Sequence, residues 1–124
     1  MLYWVTENEM HMNAINLDGV VMYVSSTDDR GVVDAKTRLY FAQKGSRVFA
    51  RYGGGSVTRG CLVGTLSGSE LVFRYTQVED SGRIHGGRSI SEVQRTAQTG
   101  LRVIEHFAWT TRSGSGTNIF DEIR

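Results

Sequence analysis

Proline is absent from the 124 residues, cysteine occurs once, and the charges nearly cancel, with 14 Lys and Arg against 13 Asp and Glu. The missing proline suits unbroken β-ladders, where proline is confined to edges and bulges. A lone cysteine excludes an internal disulfide, and the mid-strand setting of Cys61 reads as a small buried hydrophobe rather than a nucleophile. A formal net charge of +1 lacks the basic excess that marks phosphate-binding surfaces, so nucleic acid is not an expected partner. Long apolar runs are also missing. Met1 to Val5 is far too short for a membrane span or a signal-peptide core, and no basic segment precedes it. Neither a membrane partner nor secretion is expected, and the expected location is cytoplasmic.

Glycine, by contrast, is plentiful and punctuates the chain. It divides the sequence into eight candidate strands: 20–26, 32–43, 47–52, 56–66, 70–78, 83–94, 101–111 and 117–123. Every gap contains or ends on a glycine, the residue that supplies the positive φ of tight hairpin turns. Links this short cannot carry a parallel crossover, so successive strands are antiparallel neighbours. A meander of eight strands leaves two open edges unless the first pairs with the last. The expected fold is therefore all-β, an eight-stranded antiparallel up-and-down barrel. It forms a single domain over 1–124, with the barrel in 16–124 and residues 1–15 as an N-terminal extension or plug. Thr6 and Glu9 are spaced as a capping box for a short helix from Glu7, and Met12 is an alternative start.

Alternation of period two gives several strands an inner and an outer face. Leu101, Val103, Glu105, Phe107 and Trp109 share one face, opposite Arg102, Ile104, His106, Ala108 and Thr110. Leu71, Phe73 and Tyr75 form a second apolar row, and Val33, Ala35, Leu39 and Phe41 a third. Residues 83–94 give no clean apolar row. Gly60, Gly64, Gly86 and Gly87 lie within strands, where they favour bending and leave interior room.

Glu105 stands out because its row is apolar. A carboxylate there is costly unless paired, and otherwise its pKa rises, so it is either matched by a partner or poised for proton chemistry. Twelve of the fourteen basic residues are arginine, a bias suited to pairing with carboxylates. Arg38, Arg59, Arg74 and Arg102 read as outward, whereas Arg51 and Arg88 are candidates for an inward partner of Glu105 or of an acidic ligand. Tyr75, Phe107 and Trp109 offer an aromatic surface that is either core or ligand wall. No metal site assembles from His11, His85, His106 and one cysteine. Gly53-Gly54-Gly55 leads into a strand rather than a helix, so it is a hairpin and not a phosphate loop, and no cofactor is expected.

The runs Ala50-Arg51-Tyr52-Gly53-Gly54-Gly55-Ser56-Val57, Gly60-Cys61-Leu62-Val63-Gly64 and Phe73-Arg74-Tyr75 carry a resemblance, as do Glu105-His106-Phe107-Ala108-Trp109-Thr110 and Ile119-Phe120-Asp121-Glu122-Ile123. From about Asn16 onward the chain resembles a family of small bacterial lipocalin-like, or calycin-like, barrels of unestablished function. Its members often carry the label N-acetylglutamate synthase. An acetyl-CoA enzyme needs a pyrophosphate-binding loop at a helix start, and this sequence offers almost no helix to supply one. The family pattern has Gly-x-Cys-x-Ser where this chain has Gly87-Arg88-Ser89-Ile90-Ser91, and tryptophan where it has Phe107. A cysteine-based role at that position is therefore not available here.

Together these features lead to the expectation of a barrel that binds a small apolar or amphipathic molecule, with Tyr75, Phe107 and Trp109 as surface and Glu105, Arg88 and Arg51 as polar anchors. Two alternatives remain. One is a cofactor-free enzyme of isomerase or decarboxylase type with Glu105 as base and Tyr75 as donor; the other is a solid barrel that assembles as a homodimer through its outer face.

Overall fold

A computed structural model describes residues 14–124, so the helix expected from Glu7 lies outside the described residues. Eight strands follow one another: β1 (Val21–Ser26), β2 (Arg38–Lys44), β3 (Arg47–Gly54), β4 (Val57–Ser67), β5 (Glu70–Glu79), β6 (Ile84–Thr96), β7 (Gly100–Trp109) and β8 (Ser115–Glu122). Each pairs antiparallel with the next, and β1 pairs with β8 through Met22 and Glu122, Tyr23 and Asp121, and Val24 and Phe120. The sheet is a closed barrel. Closure leaves no unpaired edge, as the short links require. Every link but the first contains, or leads directly into, a glycine at positive φ, including Gly45 (61°), Gly68 (61°) and Gly82 (87°). Among the described residues no helix is long and apolar enough to cross a membrane.

The exception among the links corrects the expected second strand. Residues 27–37 form a loop, and β2 begins only at Arg38. Val32 and Val33 extend the apolar alternation of Leu39 and Phe41 in sequence, but they pack against the core from outside the ladder. The loop is bonded to three strands. Thr27 Oγ1 donates to Asn118 Oδ1 on β8 at 2.8 Å, Trp109 Nε1 on β7 donates to the Arg30 carbonyl at 2.8 Å, and Thr37 Oγ1 donates to the Gly54 carbonyl on β3 at 3.1 Å.

The two barrel ends differ. At the end of the β2–β3, β4–β5 and β6–β7 turns the core is solid, with Val48, Leu66, Leu71, Val93, Leu101 and Val103 in one cluster. Leu17 is fully buried in this cluster, its amide donating to Gln43 Oε1 at 2.9 Å, so residues just ahead of β1 close this end. Loop 27–37 and Trp109 cover the other end. Strand parity also corrects Cys61, which is exposed because Gly60 and Leu62 on either side face inward.

Candidate functional site

Four strands bring the inward aromatics together beneath loop 27–37. Tyr75 on β5 meets Trp109 on β7 edge to face at 5.4 Å between ring centres, and Phe107 meets Trp109 at 6.0 Å. With Gly31, Val32, Val33, Leu39, Tyr52 and Glu105 these rings surround a pocket of about 30 Å³. That is room for a water molecule or two, far below the roughly 300 Å³ of a drug-sized site. The interior is thus nearly filled. Two strand glycines explain how, because a Cβ on Gly60 would lie 2.3 Å from the Tyr52 ring and one on Gly87 2.4 Å from the Tyr75 hydroxyl. Interior room is present at both positions as expected, and tyrosines occupy it.

Glu105 faces inward and is buried, and no arginine meets it. Arg51 and Arg88 are both exposed on the outer face, since each stands between inward neighbours on its strand. This corrects their expected inward placement. The actual partners are neutral: Ser89 Oγ donates to Glu105 Oε2 at 2.5 Å and Asn118 Nδ2 donates to Oε1 at 2.9 Å. Asn118 is itself oriented by the Thr27 hydroxyl, so the carboxyl is wired to the covering loop. Burial pushes the Glu105 carboxyl above its ordinary value, and the two hydrogen bonds only partly oppose this. Burial and the nearby Glu105 charge likewise push the Tyr75 and Tyr52 hydroxyls up, so both stay protonated donors.

This sets a pH dependence with a definite sign. A carboxyl raised on folding holds its proton where the unfolded chain has released it, so stability falls as pH rises from the ordinary carboxylate range through the folded value. Glu105→Gln keeps an acceptor for Asn118 and offers an N–H to Ser89 without a charge. The variant is expected to match the parent at pH 4 and to exceed it by about 1–3 kcal/mol at pH 8, which urea midpoints across that range will show. Equal slopes in the two proteins would contradict the assignment.

A second polar chain runs from the interior to the mouth. Tyr52 Oη donates to Gln77 Oε1 at 2.9 Å, and Gln77 Nε2 donates to Glu79 Oε2 at 3.0 Å. Arg112 from the β7–β8 link pairs with Glu79 at 2.7 Å and lays its guanidinium over the Trp109 ring, 4.6 Å from the centre. Burial alone would raise Glu79, but the bonds from Arg112 and Gln77 outweigh it and hold the carboxylate below its ordinary range. Tyr52, Gln77, Asn118 and Ser89 were not among the expected site residues. For the first three the signal was parity, since each continues an inward row, Ala50 to Tyr52, Tyr75 to Gln77 and Phe120 to Asn118, whereas Ser89 lies on β6, where no apolar row marks the inner face.

Two buried groups stand without a hydrogen-bond partner among the described residues. The Tyr75 hydroxyl is buried in the pocket wall and bonds to nothing, and deeper in the barrel Ser91 Oγ is in the same state. Among the described residues no cluster of three or more His, Cys, Asp or Glu side chains could hold a metal.

A closed eight-stranded meander, solid at one end and carrying an aromatic pocket under a loop at the other, defines a calycin-type cup. The family described as avidin-like protein matches residues 15–123, and the chain belongs to that family. The expected barrel class is thereby retained, while the match supports neither a lipocalin in particular nor the label N-acetylglutamate synthase. Comparison with curated proteins and with solved structures gives no match.

Proposed function

We propose that the protein binds a small, mostly apolar molecule bearing a neutral hydrogen-bond acceptor, taken up beneath loop 27–37. The observation that carries this reading is the Tyr75 hydroxyl, a buried donor without an acceptor in a mostly apolar wall. Such a group costs about 1–3 kcal/mol while unsatisfied, and a ligand carbonyl would relieve that cost. An anionic ligand fits poorly, because among the described residues no Lys or Arg lines the pocket to compensate its charge. Entry requires the Gly31–Val33 span to lift, since the enclosed space is too small as it stands. The span meets the pocket through half-buried apolar residues, and its own backbone bonds, from Gly31 N–H to the Asp28 carbonyl and from Thr27 Oγ1 to the Val33 carbonyl, stay within the loop.

Acid–base catalysis by Glu105 and Tyr75 is the weaker reading. Both Glu105 oxygens are already engaged by Ser89 and Asn118 as part of the wall.

The test compares acetophenone with ethylbenzene, which has a similar shape without the carbonyl. Acetophenone is expected to raise the melting temperature more and to bind up to about tenfold tighter, the worth of one net hydrogen bond. Tyr75→Phe is expected to remove that preference and yet to stabilise the unliganded protein by about 1 kcal/mol, because an unsatisfied buried hydroxyl is lost. No binding of either compound, or a preference that survives Tyr75→Phe, would overturn the proposal.

A further inference from the structure

The outer face of β5 and β6 carries charges that the barrel itself does not use. Outward residues alternate along β5 as Glu70, Val72, Arg74 and along β6 as Arg88, Ile90, Glu92. The register sets Glu70 opposite Glu92, Val72 opposite Ile90 and Arg74 opposite Arg88. Like charges directly across a ladder are unfavourable. A shift of sign on one strand would have made two cross-strand ion pairs, yet here an acidic pair and a basic pair flank an apolar pair. The ion pairs among the described residues are Asp28 with Arg30, Asp121 with Arg102 and Glu79 with Arg112, so none of these four charges is in an ion pair there, and Glu92 only accepts a 3.3 Å hydrogen bond from Gln94 Nε2.

The apolar centre is exposed as well. Val72 is 42% and Ile90 57% exposed, and Val63 on β4 (54%) and Phe49 on β3 (43%) continue the surface. A shallow groove runs between Val63, Val72, Arg74, Arg88 and Ile90.

We propose that this face is the contact between two copies of the chain, related by a two-fold axis lying in the interface along the Val72–Ile90 row. A rotation about that axis reverses strand direction and leaves lateral position unchanged. It therefore lays Val72 on Val72 and Ile90 on Ile90 of the second copy, Glu70 against Arg74, and Glu92 against Arg88. The same three rows that oppose one another within a chain become complementary between chains, the self-complementarity an isologous contact requires. Successive outward residues lie about 6–7 Å apart along a strand, within the reach of Arg and Glu side chains when aligned sheets cross at their usual angle of about 30°. An axis parallel to the strands would instead set Arg on Arg and Glu on Glu. An acidic partner of another kind meets Glu70 and Glu92 beside the arginines, which repel it.

Light scattering on the eluting full chain at tens of micromolar is expected to give twice the monomer mass of 13.8 kDa. Arg74→Glu with Arg88→Glu leaves only acids at the four positions, and Glu70→Arg with Glu92→Arg leaves only bases. Each double variant is expected to run as a monomer that still melts cooperatively, at a somewhat lower temperature because the stabilisation from dimerisation is lost. Mixing the two is expected to restore the doubled mass as a heterodimer, and combining all four changes in one chain to restore the homodimer. A parent chain that stays at the monomer mass overturns the proposal, whatever partner the arginines then serve. So does a folded double variant that remains dimeric, or a mixture of the two that remains monomeric.

Discussion

Trp109→Ala is expected to lower stability by about 3–5 kcal/mol, the usual range for truncating a buried tryptophan. The loss extends beyond the ring's own burial. Trp109 touches Tyr75, Phe107 and His85 edge to face, supports the Arg112 guanidinium, and donates its indole N–H to the Arg30 carbonyl. Removing it therefore releases one attachment of loop 27–37 together with one wall of the pocket. Hydrogen exchange is expected to accelerate first in residues 28–33 and at Arg112. The sealed end around Leu17, Leu71 and Val103 keeps its protection up to the global transition. Uniform acceleration throughout the barrel would show that the mouth is not a separate unit. Trp109→Phe retains ring contacts and loses the indole donor, so it should reproduce the loop effect at a smaller cost in stability.

Gly64→Ala is expected to cost about 3 kcal/mol or more although it adds a single methyl group. The new Cβ would sit 2.1 Å from the Val72 carbonyl oxygen and 2.8 Å from the Phe73 Cα. Backbone must move to make space, so β4 and β5 would separate where Gly64 faces Phe73 across the ladder. Overpacking of well-fitted sites commonly costs 1–3 kcal/mol, and here no flexible side chain can yield. Gly68→Ala is the control. Its Cβ meets nothing within 4 Å, and only its φ of 61° resists substitution, at roughly 1–2 kcal/mol. Denaturant midpoints for the two variants should differ clearly; equal losses would mean that the β4–β5 approach is not tight.

The barrel was legible because its turns and its alternation agree. Leu71, Phe73, Tyr75, Val103, Glu105, Phe107 and Trp109 face inward as their spacing implies. Loop 27–37 was hidden by chemistry common to strands and covers: Val32 and Val33 are β-branched and apolar, whether they pair in a ladder or lie across a mouth. Strand β6 was hidden for the opposite reason. Its inner face is Gly87, Ser89, Ser91 and Val93, small and mostly polar residues that make space for Tyr75 and hold Glu105, while Ile84 and Ile90 turn outward. An apolar-in rule reads such a strand backwards. The partner of Glu105 was sought among cations because isolated carboxylates need them, whereas here two neutral donors, Ser89 and Asn118, bond its oxygens. Arg51 could have been placed outward from parity alone, between Ala50 and Tyr52, whereas Arg88 lies on β6, whose alternation misleads.

Amide and indole chemical-shift mapping of the ¹⁵N-labelled protein during titration with acetophenone tests the binding account most directly. The predicted shifts gather on Gly31 to Val33, Tyr75, residues 105–109 and the Trp109 indole N–H, and the sealed end around Leu17 and Leu101 stays still. Shifts confined to the outer face, spread evenly over the barrel, or absent at saturating compound would contradict a ligand site beneath loop 27–37.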